Sequence, residues 1–184
     1  MTQPGQLWGV DLTLVWLLGF WPVWVLGAVE YHGSRLVAFE RLAWPTASAV
    51  TGALTRAFDE HRAPARLLTD RGPAFASSAL ADLCAARGVR HVLIRPGHCW
   101  TNGRIERVFR TFKQTVFGLI WLFASTREIA RYCADFRRWY NADRPHSSHG
   151  GRTPDEVFSG RPKQLRPLGR IDYFDGQLRW YRFG

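Results

Sequence analysis

Residues 12–29 carry no charge and are apolar at nearly every position, with Asp11 and Glu30 closing the stretch at either end. The run is close to the length of a membrane-spanning helix. Thr13, Gly19, Pro22 and Gly27 interrupt it, however, and β-branched and aromatic residues are frequent in it. Gly19-Phe20-Trp21-Pro22 reads as a turn, which predicts a buried hairpin rather than a span. The first strand covers residues 7–18 and carries Asp11; the second covers 23–30. After a turn at 32–34, residues 35–41 give a third strand, and three strands joined by tight turns form an antiparallel meander.

The period then changes. Val50, Ala53, Leu54, Ala57 and Phe58 follow helical spacing after Pro45-Thr46. Residues 65–69 form a short apolar strand that ends on Asp70. Ser77 or Ser78 caps a helix with Leu80, Leu83 and Cys84 inward, and residues 89–94 give a fifth strand. Ile105, Val108, Phe109, Phe112 and Val116 mark one face of a helix that starts after Asn102-Gly103. Ser125 to Glu128 is a capping box ahead of a helix with Ile129, Tyr132, Cys133, Phe136, Trp139 and Tyr140 inward. Thr153 to Glu156 is a second capping box, with Pro154 at the first helical position. Residues 161–170 read as a basic linker, and 171–183 as a hairpin around Asp175-Gly176. Strands alternating with helices after a meander predict an α/β fold: a five-stranded mixed sheet, antiparallel meander plus parallel strands, with helices on both faces. The core is assigned to residues 1–160 and the linker and hairpin to 161–184.

Charge narrows the partner. The net charge of +10 over 184 residues points to a polyanion, nucleic acid first and an acidic membrane surface second. Cys84, Cys99 and Cys133 form no C-x-x-C pair, and an odd count argues against a disulfide framework. A reducing cytosol is the default, and His98-Cys99 lacks the second ligand pair a zinc site needs.

Three acids then carry the chemistry. Asp11 lies within the first strand and Asp70 at the carboxyl end of the fourth. If those strands are adjacent and parallel, the two carboxylates meet at the edge where open α/β sheets bind ligands. Glu106 arrives from the helix after the fifth strand, with Arg110 and Lys113 on its face. Clustered carboxylates repel one another unless a cation neutralises them. Mg²⁺, or Mn²⁺, suits such oxygen ligands, and a pair of ions roughly 3.5–4 Å apart serves an in-line phosphoryl displacement. Asn102 is read either as a helix cap or as a group orienting a metal-bound water or phosphate. Arg107 pairs with an acid or touches phosphate.

These residues fall in recognisable motifs: Trp8-Gly-Val-Asp11-Leu-Thr13, Thr69-Asp70-Arg-Gly72-Pro73, Asn102-Gly103-Arg-Ile-Glu106-Arg107, Tyr140-Asn141-Ala-Asp-Arg144-Pro145-His146 and Thr153-Pro154-Asp-Glu156. Thirty-five residues separate Asp70 from Glu106. In this the chain resembles the catalytic core of the DDE transposases and retroviral-type integrases, particularly the bacterial insertion-sequence branch, over about residues 7–160. The resemblance implies a ribonuclease H-like fold and DNA strand cleavage and transfer, with Asp11, Asp70 and Glu106 as catalytic metal ligands. It further implies DNA as partner, homo-oligomers on DNA and a cytoplasmic, nucleoid-associated location. Asn102, Arg107, Arg110, Lys113, Arg144 and His146 are the expected DNA-binding residues, with a structural turn as the other account of Arg144 to His146. Arg71 stands where the family commonly has Asn, and Cys99 where it commonly has Pro. The family's usual helix-turn-helix is not evident ahead of the first strand, which points to a separate subunit carrying it. Two other readings stay open: an inactive DNA-binding remnant of a transposase, and a protein anchored in a membrane through residues 12–29.

Overall fold

The computed structural model describes residues 3–17, 20–94, 103–117, 125–164, 169–173, 176 and 178–182. Asn102, Cys99 and Asp175 lie outside the described residues. The chain runs β1 (Leu7–Leu17), β2 (Trp21–Glu30), β3 (Arg35–Leu42), α1 (Ala47–His61), β4 (Arg66–Thr69), α2 (Ser78–Ala86) and β5 (Arg90–Leu93). It continues through α3 (Gly103–Phe117), α4 (Thr126–Ala142), a 3-10 turn at Ser147–His149, α5 (Pro154–Phe158), β6 (Gly169–Tyr173) and β7 (Leu178–Arg182). The first five strands form one sheet in the order β3-β2-β1-β4-β5, and β6 and β7 form a second. β1–β2 and β2–β3 are antiparallel, whereas β1–β4 and β4–β5 are parallel. Helices α1 and α2 supply the crossovers that parallel neighbours need.

Strand alternation sorts the core into two layers. Trp8 and Val10 of β1 face Val50, Leu54 and Phe58 of α1 and Leu80 and Cys84 of α2. Val15 and Leu17 join Ile105, Val108, Phe109 and Phe112 of α3 and Ile129, Phe136 and Trp139 of α4. Phe39 of β3 packs against Phe112 and Phe136 with ring centroids 4.8 and 4.9 Å away. Asp11 is odd-numbered and therefore belongs to the α3 face. Both capping boxes form, at Ser125 with Glu128 and at Thr153 with Glu156. Cys84 and Cys133 are free and buried.

Asn141 closes the outer edge of the sheet. Its side-chain oxygen accepts from Leu36 N–H and its amide donates to Leu36 C=O, both at 2.8 Å. The amide thus stands in for a neighbouring strand at one residue of β3, a strand with no partner on that side among the described residues.

The hairpin expected at residues 12–29 is present, but its tip is not buried. Trp16, Phe20 and Trp21 are 50%, 68% and 58% exposed. The reason is length: β4 pairs with β1 only at Leu7, Trp8 and Gly9, so the distal part of the hairpin stands clear of β4. Among the described residues no helix is long and apolar enough to cross a membrane, and residues 12–17 and 21–29 lie in β1 and β2.

Candidate active site

Register brings the first two acids together. Gly9 pairs with Leu68, and two residues further along each parallel chain come Asp11 and Asp70. Asp70 directly follows the last residue of β4, at the carboxyl end of the parallel pair. Its Oδ1 accepts from Gly72 N–H at 2.9 Å, the self-closing turn that Asp favours. A Cβ on Gly72 would lie 3.1 Å from that oxygen, which accounts for glycine there. Arg71 does not cover Asp70: its Nε donates to the Ile94 carbonyl at 3.2 Å, toward the end of β5.

Helix α3 brings the third acid. Across the β1–β2 ladder, Asp11 pairs with Gly27. A Cβ on Gly27 would stand 2.8 Å from both Ile105 Cδ1 and Phe109 Cε1. Glycine at this position lets α3 lie directly on the sheet opposite Asp11, and Glu106 is the next residue after Ile105. A glycine inside a strand is a known mark of close approach, so the interruption at Gly27 was the available signal in the sequence.

Asp11 registers both neighbours. Its carboxyl is pushed up from 3.8 to about 6. Burial is the largest cause; the Leu12 N–H, donating to Oδ1 at 2.8 Å, opposes it; the charges of Asp70 and Glu106 then raise it further. Tyr31, unremarked in the sequence, stands behind the same pair: burial pushes its phenol up to about 12, Arg104 opposes the rise, and Glu106 and Asp11 add to it. Among the described residues no three His, Cys, Asp or Glu side chains form a closed set around a cation position. The acids are within electrostatic reach of one another as hard oxygen donors, which is the donor type Mg²⁺ or Mn²⁺ takes.

Asp11, Leu12 and Thr13 of β1 and Glu106, Phe109, Arg110 and Lys113 of α3 line a cleft of about 640 Å³; Asp70 is not among its lining residues. Negative charge at one end and two cations at the other suit a phosphodiester laid across it. Arg107 is exposed on α3, outside this cleft. Arg144 donates to His146 Nε2 at 3.3 Å and lies over the rings of Trp139 and Tyr140. His146, expected at the DNA surface, is only 8% exposed, with the Tyr140 ring 4.9 Å away. Burial, then the Arg144, His149 and Arg107 charges, push its imidazole down to about 3, so the ring is neutral and accepts from Arg144.

The integrase core domain family model matches residues 1–99, and a second model with the same description matches residues 87–154. The chain is 38% identical over 113 residues to the insertion element IS476 uncharacterized 39.2 kDa protein of Xanthomonas euvesicatoria, covering 61% of this chain and 32% of that protein. It is 29% identical over 153 residues to the insertion element IS407 uncharacterized 31.7 kDa protein of Burkholderia multivorans, covering 83% and 55%. The Pol polyprotein of Radiation murine leukemia virus is 31% identical over 170 residues, covering 89% of this chain and 27% of that one. The chain therefore spans from about a quarter to just over half the length of these relatives. Among solved structures, the HTLV-2 integrase catalytic core domain in complex with magnesium, in its dimeric form, superposes with a TM-score of 0.70 at 17% identity, covering 85% of this chain and 97% of that one. A chain of the simian T-cell lymphotropic virus intasome in complex with PP2A regulatory subunit B56 gamma gives 0.76 at 17% identity, covering 100% of this chain and 68% of that one. The fold is that of retroviral integrase cores, the ribonuclease H-like arrangement expected.

Proposed function

Because the chain belongs to the integrase core domain family, we propose that it cleaves DNA strands and joins them to other DNA by in-line phosphoryl transfer. Asp11, Asp70 and Glu106 are the residues that would hold Mg²⁺ or Mn²⁺, in a pair. Such ions, when bound, activate the attacking oxygen and neutralise charge on the departing one. The chain's own groups do the rest. Arg110 and Lys113 bind the phosphodiester in the cleft, and Phe109 shapes the α3 side of it. With its pKa raised to about 6, the partly buried Asp11 is largely ionised at neutral pH, and its repulsion with Asp70 and Glu106 is what a bound cation would relieve. Arg107 and Arg144 contact the DNA backbone outside the cleft, with His146 positioning Arg144. Asn102, which precedes α3 in the sequence, orients a phosphate or water.

The single supporting observation is geometric: the β1–β4 register sets Asp70 level with Asp11, and Asp11 and Glu106 line one cleft, although Asp70 and Glu106 stand 59 and 95 positions further on in the sequence. An inactive DNA-binding remnant is the alternative reading; of its two grounds, Arg71 is engaged with the Ile94 carbonyl rather than with Asp70. Homo-oligomers on DNA belong to the same reading. The test is strand joining of labelled duplex ends in Mg²⁺ or Mn²⁺. Glu106→Gln, which keeps size and removes charge, is expected to lower the rate at least about 10²- to 10³-fold. Joining at an undiminished rate in that variant would end the reading.

A further inference from the structure

Among the described residues several arginines are neutralised in ion pairs, including Arg35 with Asp155, Arg56 with Glu40, Arg87 with Asp59, Arg137 with Glu60 and Arg138 with Asp135. Four others, Arg104, Arg107, Arg144 and Arg152, have no carboxylate partner among the described residues. They converge on one face. The Arg104, Arg107 and Arg144 charges all reach the phenol of Tyr140, and the Arg104 and Arg152 charges both reach His149.

These guanidiniums are oriented without being quenched. Arg144 lies over Trp139 and Tyr140, centroids 5.9 and 5.4 Å away, and donates to neutral His146. Arg152 Nε donates to the His149 carbonyl at 3.3 Å. Arg104 lies 5.1 Å over the Tyr31 ring and donates to the Tyr31 carbonyl and to Ser34 Oγ, which also meets His149 Nε2 at 3.2 Å. Carbonyls, aromatic faces, a hydroxyl and one neutral imidazole hold the Arg104, Arg144 and Arg152 forks in place and leave their charge intact, and Arg107 stands exposed one turn along α3 from Arg104. Each guanidinium has five N–H donors, more than these contacts consume.

Their position on α3 separates them from the cleft. At about 100° per residue, Glu106, Arg110 and Lys113 lie on one flank of the buried stripe Ile105, Val108, Phe109 and Phe112. Arg104 and Arg107 lie on the other. Strand joining brings together two DNAs, one supplying the hydroxyl and one the phosphodiester, at a single carboxylate centre.

We propose that Arg104 and Arg107 of α3, together with Arg144 and Arg152 of the segment after α4, form a second DNA-backbone site that grips a duplex other than the one lying in the carboxylate cleft. This rests on the reading of the chain as a DNA strand-joining protein, and it assigns a role to the Arg144-Pro145-His146 motif: the buried imidazole aims an arginine at phosphate.

The test is metal-free binding of a short duplex of mixed sequence, measured across a salt series. Each lost phosphate contact lowers the slope of log K against log salt by about 0.9. The triple variant Arg107→Gln/Arg144→Gln/Arg152→Gln is expected to lose a slope of roughly 2 to 3. The cleft variant Arg110→Gln/Lys113→Gln should lose roughly 2 more when added to it. Wild-type protein is expected to take up two short duplexes per protomer and each variant one. Because Arg144 packs on two rings, Arg107→Gln/Arg152→Gln serves as a second variant, checked by thermal melting. An unchanged slope in either folded variant, or one duplex per wild-type protomer, would overturn the second site. Failure of the wild type to bind DNA at all would instead count against the proposed function.

Discussion

Asp11 gathers the consequences of the fold into one titrating group. Its pKa in the folded protein, about 6, lies above the value of 3.8 expected of an unperturbed aspartate. The folded state therefore holds this proton more tightly than the unfolded chain does. The stability it contributes is fully present below pH 3.8 and is lost as pH rises through about 6. In metal-free protein, the melting temperature should carry a component that falls over that window, and Asp11→Asn should remove it. Mg²⁺ binds the ionised form, so its stabilising effect should grow as pH rises through the same window. At this scale the sequence was informative about identity and silent about environment. Asp11, Asp70 and Glu106 stood out by residue type and spacing. The direction taken by Arg71, the burial of His146 and the amide of Asn141 bridging to Leu36 depend on tertiary neighbours more than twenty residues away in the chain, or on packing that no local pattern encodes.

Among the elements, α3 matters most, because its seat on the sheet decides where Glu106 stands. The helix was readable from the spacing of Ile105, Val108, Phe109 and Phe112, and all four are buried. Its closeness to β2 was not, since a period reports which face is apolar and not how near the partner lies. Gly27 sets that distance. Gly27→Val inserts atoms where Ile105 and Phe109 already touch, and overpacking of this kind costs about 1–3 kcal/mol. Urea denaturation should register that loss. Turnover and DNA affinity should both fall, because Glu106 and the cationic Arg110 and Lys113 ride on the same helix. The hairpin of β1 and β2 gives the opposite lesson. Its strands were legible from β-branched and aromatic content, yet its tip is exposed because β4 is too short to accompany it.

Across the whole molecule, strand order is what unites residues remote in sequence. The meander alone would leave Asp11 without a partner; the crossover through α1 places β4 beside β1, and Asp70 then falls next to Asp11. Alternation of strands and helices predicted a mixed sheet, and the five-stranded order β3-β2-β1-β4-β5 has that form. Adjacency of β1 and β4 could not be read from periodicity and stood in the sequence reading only as a condition, which the parallel β1–β4 register meets. The excess of 25 Lys and Arg over 15 Asp and Glu is likewise not spread evenly, since arginines on both flanks of α3 lack acidic partners among the described residues while others are paired off.

The most direct measurement of the central claim is calorimetric titration of Mn²⁺ into wild-type protein and into Asp11→Asn, Asp70→Asn and Glu106→Gln, at one pH above 7 and with folding verified for each. If the three carboxylates share the ions, every one of these substitutions weakens binding by about tenfold or more. Undiminished Mn²⁺ affinity in any of the three would show that its carboxylate is not a ligand and would contradict the account.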